Sequence, residues 1–375
     1  MKKIIIILLV LAFICSISFN PVKGNENGIF LKVANEYIKT HENFMRKLMG
    51  VTPVSPMVYN DKNGYGKTIV FGLSKNNEVT GRLVINYDVN NPIVLEYAQV
   101  APPHLLDVKK IVQSKISLTA DAVLGTPEFI YIFPLLYFVK FDIIKNGVKI
   151  DGLYFYWNEK KLVKEEDIPD FPAENPSSSN FQENPITQSN TYNYINDVPD
   201  YNTGDNPGLC NCCGPVAEAN ILGYWHKHGY PNLQLTSDEM YGIGLTTCLF
   251  SDMGTYGTTP AMFTGGIVYH ANNSHGAYPN CNYHFTADSG FIYSVQNAYQ
   301  YLCNEVKNSR PVGILLNWNV INWHWIVGIG YNTTTNEACV RDSWGNGDVW
   351  LNWYSPYLDG GSIGFQYLSY VYPAY

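Results

Sequence analysis

After residue 14 the sequence has no apolar run long enough to cross a membrane as a helix. The nearest, residues 129–138, is short and interrupted by Pro134, so it reads as a core strand or a strand pair. Charge is sparse. Lys and Arg number 24 against 32 Asp and Glu, a net charge of −8, and no basic patch is interleaved with aromatics. That balance argues against nucleic acid or any other polyanion as partner. Cysteine is absent between Cys15 and Cys210. The same N-terminal stretch shows no catalytic constellation; His41 and His104 are isolated and read as surface or packing residues. His270, His275 and His284 have no ligand-like spacing, and Cys210, Cys212 and Cys213 sit too close together for a usual zinc knuckle. No metal and no cofactor are expected.

What is present suggests a secreted precursor. Met1-Lys2-Lys3 and the apolar residues 4–14 have the layout of a signal peptide, with cleavage expected near Gly24. Residues 25–164 read as an α+β body: a helix over 29–48, strands over 67–73, 79–88 and 93–98, helix over 103–116 with 118–124 as a further helix candidate, then strands on either side of an Asn146-Gly147 turn. Residues 165–201, with Pro169, Pro172, Pro176, Pro185 and Pro199 among Ser, Asn, Gln and acids, have the composition of an exposed, cleavable linker. Residues 202–375 form a second body. Without Cys15 the chain keeps seven cysteines: Cys210, Cys212, Cys213, Cys248, Cys281, Cys303 and Cys339. An odd count fits three disulfides and one thiol.

The thiol to single out is Cys213. Gly214 to Pro231 reads as one helix and its stop: Pro215 suits a first turn, Glu218 is favoured near a helix start, and Gly229 with Pro231 closes the element. A cysteine at a helix N-terminus has its thiolate stabilised, and the thiolate is the nucleophile. Downstream, residues 310–316 and 323–331 read as strands joined by a polar loop over 317–322, and 338–341 as a short strand leading into Asp342-Ser343-Trp344-Gly345. This arrangement brings His324 beside Asp342. His324 would move the thiol proton, Asp342 would hold the imidazole tautomer, and Trp344 would shield their bond from water. Farther along the second body, helices are expected near 236–241, over 260–269 and over 294–307.

Cys-Gly-Pro-Val-Ala-Glu-Ala-Asn-Ile-Leu-Gly-Tyr-Trp, Arg-Pro-Val-Gly-Ile, His-Trp-Ile-Val-Gly-Ile-Gly-Tyr and Val-Arg-Asp-Ser-Trp-Gly together resemble the papain-like cysteine peptidases. The likeness is strongest to the bacterial C39-like branch, with some to the streptopain branch. The resemblance implies an α+β fold, with a Cys-bearing helix packed on an antiparallel sheet, preceded by a smaller α+β pro-domain. It implies Cys213 as nucleophile, His324 as acid/base and Asp342 as third member. The family's glutamine, about six residues before the nucleophile, is replaced here by Pro207, which leaves Asn206 and Asn211 as candidate oxyanion donors. Residues 90–98 resemble propeptide segments of such enzymes, which implies an intramolecular inhibitor. The expectation is a secreted, monomeric cysteine endopeptidase made as a zymogen, acting on peptides or proteins, with no membrane contact after signal cleavage. A transglutaminase-type acyltransferase and a non-catalytic binding protein on the same fold are the alternatives.

Overall fold

A computed structural model describes residues 24–119, 121–172, 192–205, 212–235, 237, 242–253, 257–291, 294–319, 322–355, 357 and 364–374. The stretch up to residue 23, read above as a signal peptide, and Cys210, Asn206, Pro207 and Asn211 lie outside them.

Helix α1 (Gly24–His41) precedes strands β1 (Thr52–Asn60), β2 (Gly66–Lys75), β3 (Glu78–Asn86) and β4 (Val94–Ala98). A short helix α2 (Val108–Gln113) then leads to β5 (Ala122–Leu124), β6 (Glu128–Ile132), β7 (Leu136–Lys145), β8 (Val148–Tyr156) and β9 (Lys161–Val163). The apolar run around Pro134 is a strand pair, β6 and β7, with register Ile130 to Phe138. The first helix starts earlier than its pattern suggests and ends at His41, followed by a 3-10 turn at Arg46–Leu48. Part of the stretch read as a possible helix over 118–124 is instead strand β5, paired with β7.

The second half begins with β10 (Tyr192–Tyr194) and helices α3 (Cys213–Lys227), α4 (Ile243–Met253) and α5 (Pro260–Asn272). It continues through β11 (Phe285–Phe291), α6 (Val295–Lys307), β12 (Val312–Asn319), β13 (Asn322–Asn332), β14 (Glu337–Arg341), β15 (Asp348–Asn352) and β16 (Gly364–Pro373). Thr259 and Ser294 cap α5 and α6, each accepting a backbone N–H as N-cap residues do. The polar stretch 317–322 is mostly strand: Asn319 pairs with Asn322, so β12 and β13 form a tight hairpin. Residues 192–201, linker-like by composition, are built into the sheet region. β10 pairs with β13, Val198 and Tyr201 are buried, and the Tyr201 N–H donates to Asn220.

One sheet runs through both halves, in the order β11-β16-β12-β13-β14-β15-β4-β3-β2-β1-β6-β7-β8-β9. The join is an antiparallel pairing of β15 with β4, Trp350 opposite Tyr97. Polar groups reinforce it. Gln99 donates to Asp348 at 2.8 Å, and the Tyr37 hydroxyl donates to Glu337 at 2.7 Å. His41 meets Glu337 at 2.5 Å with both side chains nearly inaccessible. Its other ring nitrogen faces the Tyr37 carbonyl at 2.7 Å. Both ring nitrogens thus face oxygen atoms, one of them across the join between the halves.

The expected three disulfides do not form among the described residues. Cys213, Cys248, Cys281, Cys303 and Cys339 all carry thiols. Cys303 and Cys339 are fully buried on different elements and pack as small apolar side chains. Among the described residues no helix is long and apolar enough to cross a membrane.

Candidate active site

Helix α3 begins at Cys213 and runs to Lys227, with His228 at its end and Gly229 at φ +104°, the left-handed residue that closes it. Val216, Ala217, Ala219, Ile221 and Leu222 are fully buried, so the helix is surrounded by protein rather than lying with one face outward. Glu218 sits in the second turn, not the first, and is buried. Gly214 permits close approach to Thr258: a Cβ there would lie 2.2 Å from its Oγ1 and 2.4 Å from its Cβ. The helix start that bears Cys213 is therefore pinned against the N-cap region of α5.

Strand β13 delivers His324, buried and opposite Leu316 of β12. Its Nε2 meets the main-chain carbonyl of Asp342 at 2.6 Å. A carbonyl can only accept, so Nε2 carries the proton and Nδ1 is the basic nitrogen. Trp344 stacks on the imidazole, centroids 3.7 Å apart and planes 6° from parallel. Burial pushes the imidazole down to about 4, against the opposing effect of the Asp342 carbonyl. The next residue, Trp325, donates its indole N–H to the Thr258 carbonyl at 2.8 Å and stacks on Phe263 at 4.0 Å. Its backbone hydrogen bond to the Cys213 thiol ties the strand to the helix start.

Asp342 ends β14 and is fully buried. Its carboxylate does not hold the imidazole. It accepts the Trp344 N–H at 2.9 Å, the Asn346 N–H at 3.4 Å and the Asn346 side chain. These bonds shape the Asp-Ser-Trp-Gly turn, in which Ser343 and Gly345 have positive φ. The residue read from sequence as the orienting member is in place, but its main chain does the orienting. Burial pushes the carboxyl up to about 6, while the Asn346 bond opposes.

The N-terminal half, which showed no catalytic pattern, reaches this site. Tyr156, at the end of β8, lies edge-on to Trp344 at 6.0 Å, and the charges of Asp342 and Cys213 both bear on its hydroxyl. Burial pushes the Cys213 thiol up, the Trp325 backbone bond opposes this, and the charge of Glu159 raises it further. Arg82, buried and held by Glu96 at 2.9 Å and the Tyr137 hydroxyl at 2.8 Å, favours the ionised Asp342. Nothing in sequence spacing links Tyr156, Glu159 or Arg82 to residues 213–342; only the shared sheet does.

Residues 195–363 match the model described as the Peptidase_C39 like family. No curated protein matches the chain. Among solved structures, a fragment of prointerpain A from Prevotella intermedia is 11% identical, with 86% of this chain and 99% of that one covered and a TM-score of 0.42. Xylellain, a cysteine protease from Xylella fastidiosa, is 10% identical, with 57% and 94% covered and a TM-score of 0.30. Likeness that remote carries no site residue from those proteins to this chain.

Proposed function

We propose that this chain, whose residues 195–363 match the model described as the Peptidase_C39 like family, is a secreted cysteine endopeptidase made as a zymogen. Cys213 attacks the peptide carbonyl carbon as its thiolate, after its proton passes to Nδ1 of His324. The tetrahedral adduct collapses to a thioester as the leaving amine takes that proton. Water, deprotonated by the same nitrogen, then hydrolyses the thioester. The Asp342 carbonyl and the Trp344 ring hold the imidazole in position throughout. Residues 25–164 act as the intramolecular inhibitor, and the 165–201 stretch supplies the activation cut.

The observation that carries this reading is a half-buried cysteine site that the N-terminal half reaches. A thiol at a helix start meets the backbone beside a tautomer-fixed histidine, with Tyr156 of the other half edge-on to Trp344 and the charge of Glu159 bearing on the thiol. In this arrangement burial raises the thiol and lowers the imidazole, which opposes proton exchange between them. The test is intact mass over time for wild type and Cys213→Ala, with casein and a reductant alongside. Wild type should shed a fragment ending within 165–201 and digest casein, and the variant should do neither. A variant that still digests casein would sink the assignment.

A further inference from the structure

A second group of chemistry-bearing side chains lies away from Cys213. Cys248 and Asp252 stand one turn apart on α4, His270 is on α5, and His275 is in the loop that follows. One donor atom from each lies within 4.8 Å of all the others. Asp252 Oδ2 is 3.7 Å from Cys248 Sγ, 3.6 Å from His270 Nδ1 and 3.4 Å from His275 Nε2. Cys248 Sγ is 3.2 Å from His275 Nε2. A tetrahedral zinc with bonds of about 2.0–2.3 Å has ligand-to-ligand edges of about 3.3–3.8 Å, and four of the six edges here measure 3.2–3.7 Å.

The far side of each imidazole explains which nitrogen faces the cluster. His270 Nε2 meets the Leu233 carbonyl at 3.1 Å, and His275 Nδ1 meets the Asn273 carbonyl at 2.7 Å. Both far nitrogens face acceptors, so a neutral ring carries its proton there and turns the lone pair of His270 Nδ1 or His275 Nε2 inward. This is the outer-shell arrangement that orients metal-ligating histidines. Within the cluster the only hydrogen-bond donor is the Cys248 S–H, and it can serve one acceptor. His270 is fully buried, and its Nδ1 has no hydrogen-bond partner. Four donor atoms within 4.8 Å of one another, with the buried His270 Nδ1 making no hydrogen bond, form a cradle that suits a cation.

We propose that Cys248, Asp252, His270 and His275 bind one zinc ion as a closed structural site. The mixed thiolate, imidazole and carboxylate set selects zinc over magnesium or calcium, which take all-oxygen shells. Four protein ligands leave no open position for a substrate, so the ion's role is to staple. It would join α4, α5 and the 273–278 loop, and through the His270–Leu233 bond it would hold the segment that follows α3.

The test uses the full chain with Cys213→Ala, so that zinc on the nucleophile cannot confuse the count. Protein stripped with a chelator under reductant is titrated with zinc against a chromophoric chelator, and metal content is measured separately. The expected result is one zinc per chain, with a Kd below about 100 nM and a melting temperature that rises with bound metal. Cys248→Ser and His270→Ala should each weaken binding by at least about 100-fold, more than losing an outer-shell partner does. Cys281→Ser, which removes a nearby thiol that donates to the Asn232 carbonyl instead, should leave binding unchanged. Cobalt substitution should give a tetrahedral thiolate spectrum that survives Cys281→Ser and disappears in Cys248→Ser. Binding equally tight in the Cys248→Ser, His270→Ala double variant would overturn the proposal. So would mass mapping that finds Cys248 in a disulfide in the native secreted protein.

Discussion

Replacing Asp342 by Asn separates the two jobs that a carboxylate beside a catalytic histidine can have. The His324 Nε2–H is held by the main-chain carbonyl of residue 342, and the carboxylate shapes the turn instead. Asn keeps the carbonyl, and its Oδ1 can still accept the Trp344 N–H. It also removes a buried charge. The carboxyl is raised from 3.8 to about 6, chiefly by burial. A raised acid contributes stability that is complete below the unfolded value and is lost as pH rises through the folded one, here between 3.8 and about 6. A shift of that size corresponds to roughly 3 kcal/mol. His324, lowered from 6.5 to about 4, acts in the opposite sense: its contribution is present above 6.5 and lost as pH falls through about 4. The difference between the two chains cancels that histidine term. Urea unfolding of Cys213→Ala with and without Asp342→Asn, at pH 3.5 and pH 7.5, should therefore show the Asn chain gaining roughly 3 kcal/mol on its parent between the two pH values. Processed Asp342→Asn with Cys213 intact should keep kcat/KM within about tenfold of wild type. Loss of the aspartate's charge in a Ser-His-Asp triad, where the carboxylate itself holds the imidazole, costs about 10,000-fold. A loss of that order, with no pH-dependent stability difference, would refute the main-chain assignment.

Two further substitutions probe the join between halves and the helix start. His41→Ala strands Glu337 as a buried carboxylate with only hydroxyl partners, and should lower the unfolding free energy of the full chain by about 3–5 kcal/mol in urea; a change under about 1 kcal/mol would mean the pair is not an ion pair in solution. Gly214→Ala drives a methyl into Thr258 and should cost about 1–3 kcal/mol while moving Cys213 away from the Trp325 backbone, read as a fall in kcat. Adding Thr258→Gly, which removes the clashing atoms, should restore much of both.

The C-terminal half was legible where local chemistry decides structure. Cys213 heads a helix because Pro215 opens it and Gly229 closes it, and both rules act within a turn or two. The strand bearing His324 showed in its β-branched and aromatic content. The misreadings share a cause, which is tertiary placement. β1 contains Pro53 and Pro56 and was not read as a strand; its register with β2 shifts between Val54 and Met57, which accommodates the proline between them. The 317–322 stretch looks like a loop because it is polar, but its backbone groups are used by the hairpin. Residues 192–201 read as linker because Asn, Asp and Pro dominate, yet Tyr192, Tyr194 and Tyr201 anchor them. The disulfide arithmetic assumed that cysteines in a secreted chain pair off, whereas Cys303 and Cys339 are buried in separate elements. The Cys248, Asp252, His270 and His275 group matches no ligand spacing because a helix, a second helix and a loop each bring part of it.

In the zymogen proposed above, latency would not require residues 25–164 to occupy the cleft as a substrate would. A peptidase of this type needs the thiol low enough and the imidazole high enough to exchange a proton near neutrality. Here burial drives the two apart, and a carboxylate from the β8–β9 turn, Glu159, raises the thiol further. Lifting the N-terminal half would return water to both groups, so the imidazole rises as the thiol falls. A cut in the linker does not accomplish this alone. The halves share a continuous sheet through β4 and β15, and His41 and Tyr37 are buried against Glu337. On the proposed zymogen reading, activation would therefore be a dissociation of paired strands, which the cut would make irreversible.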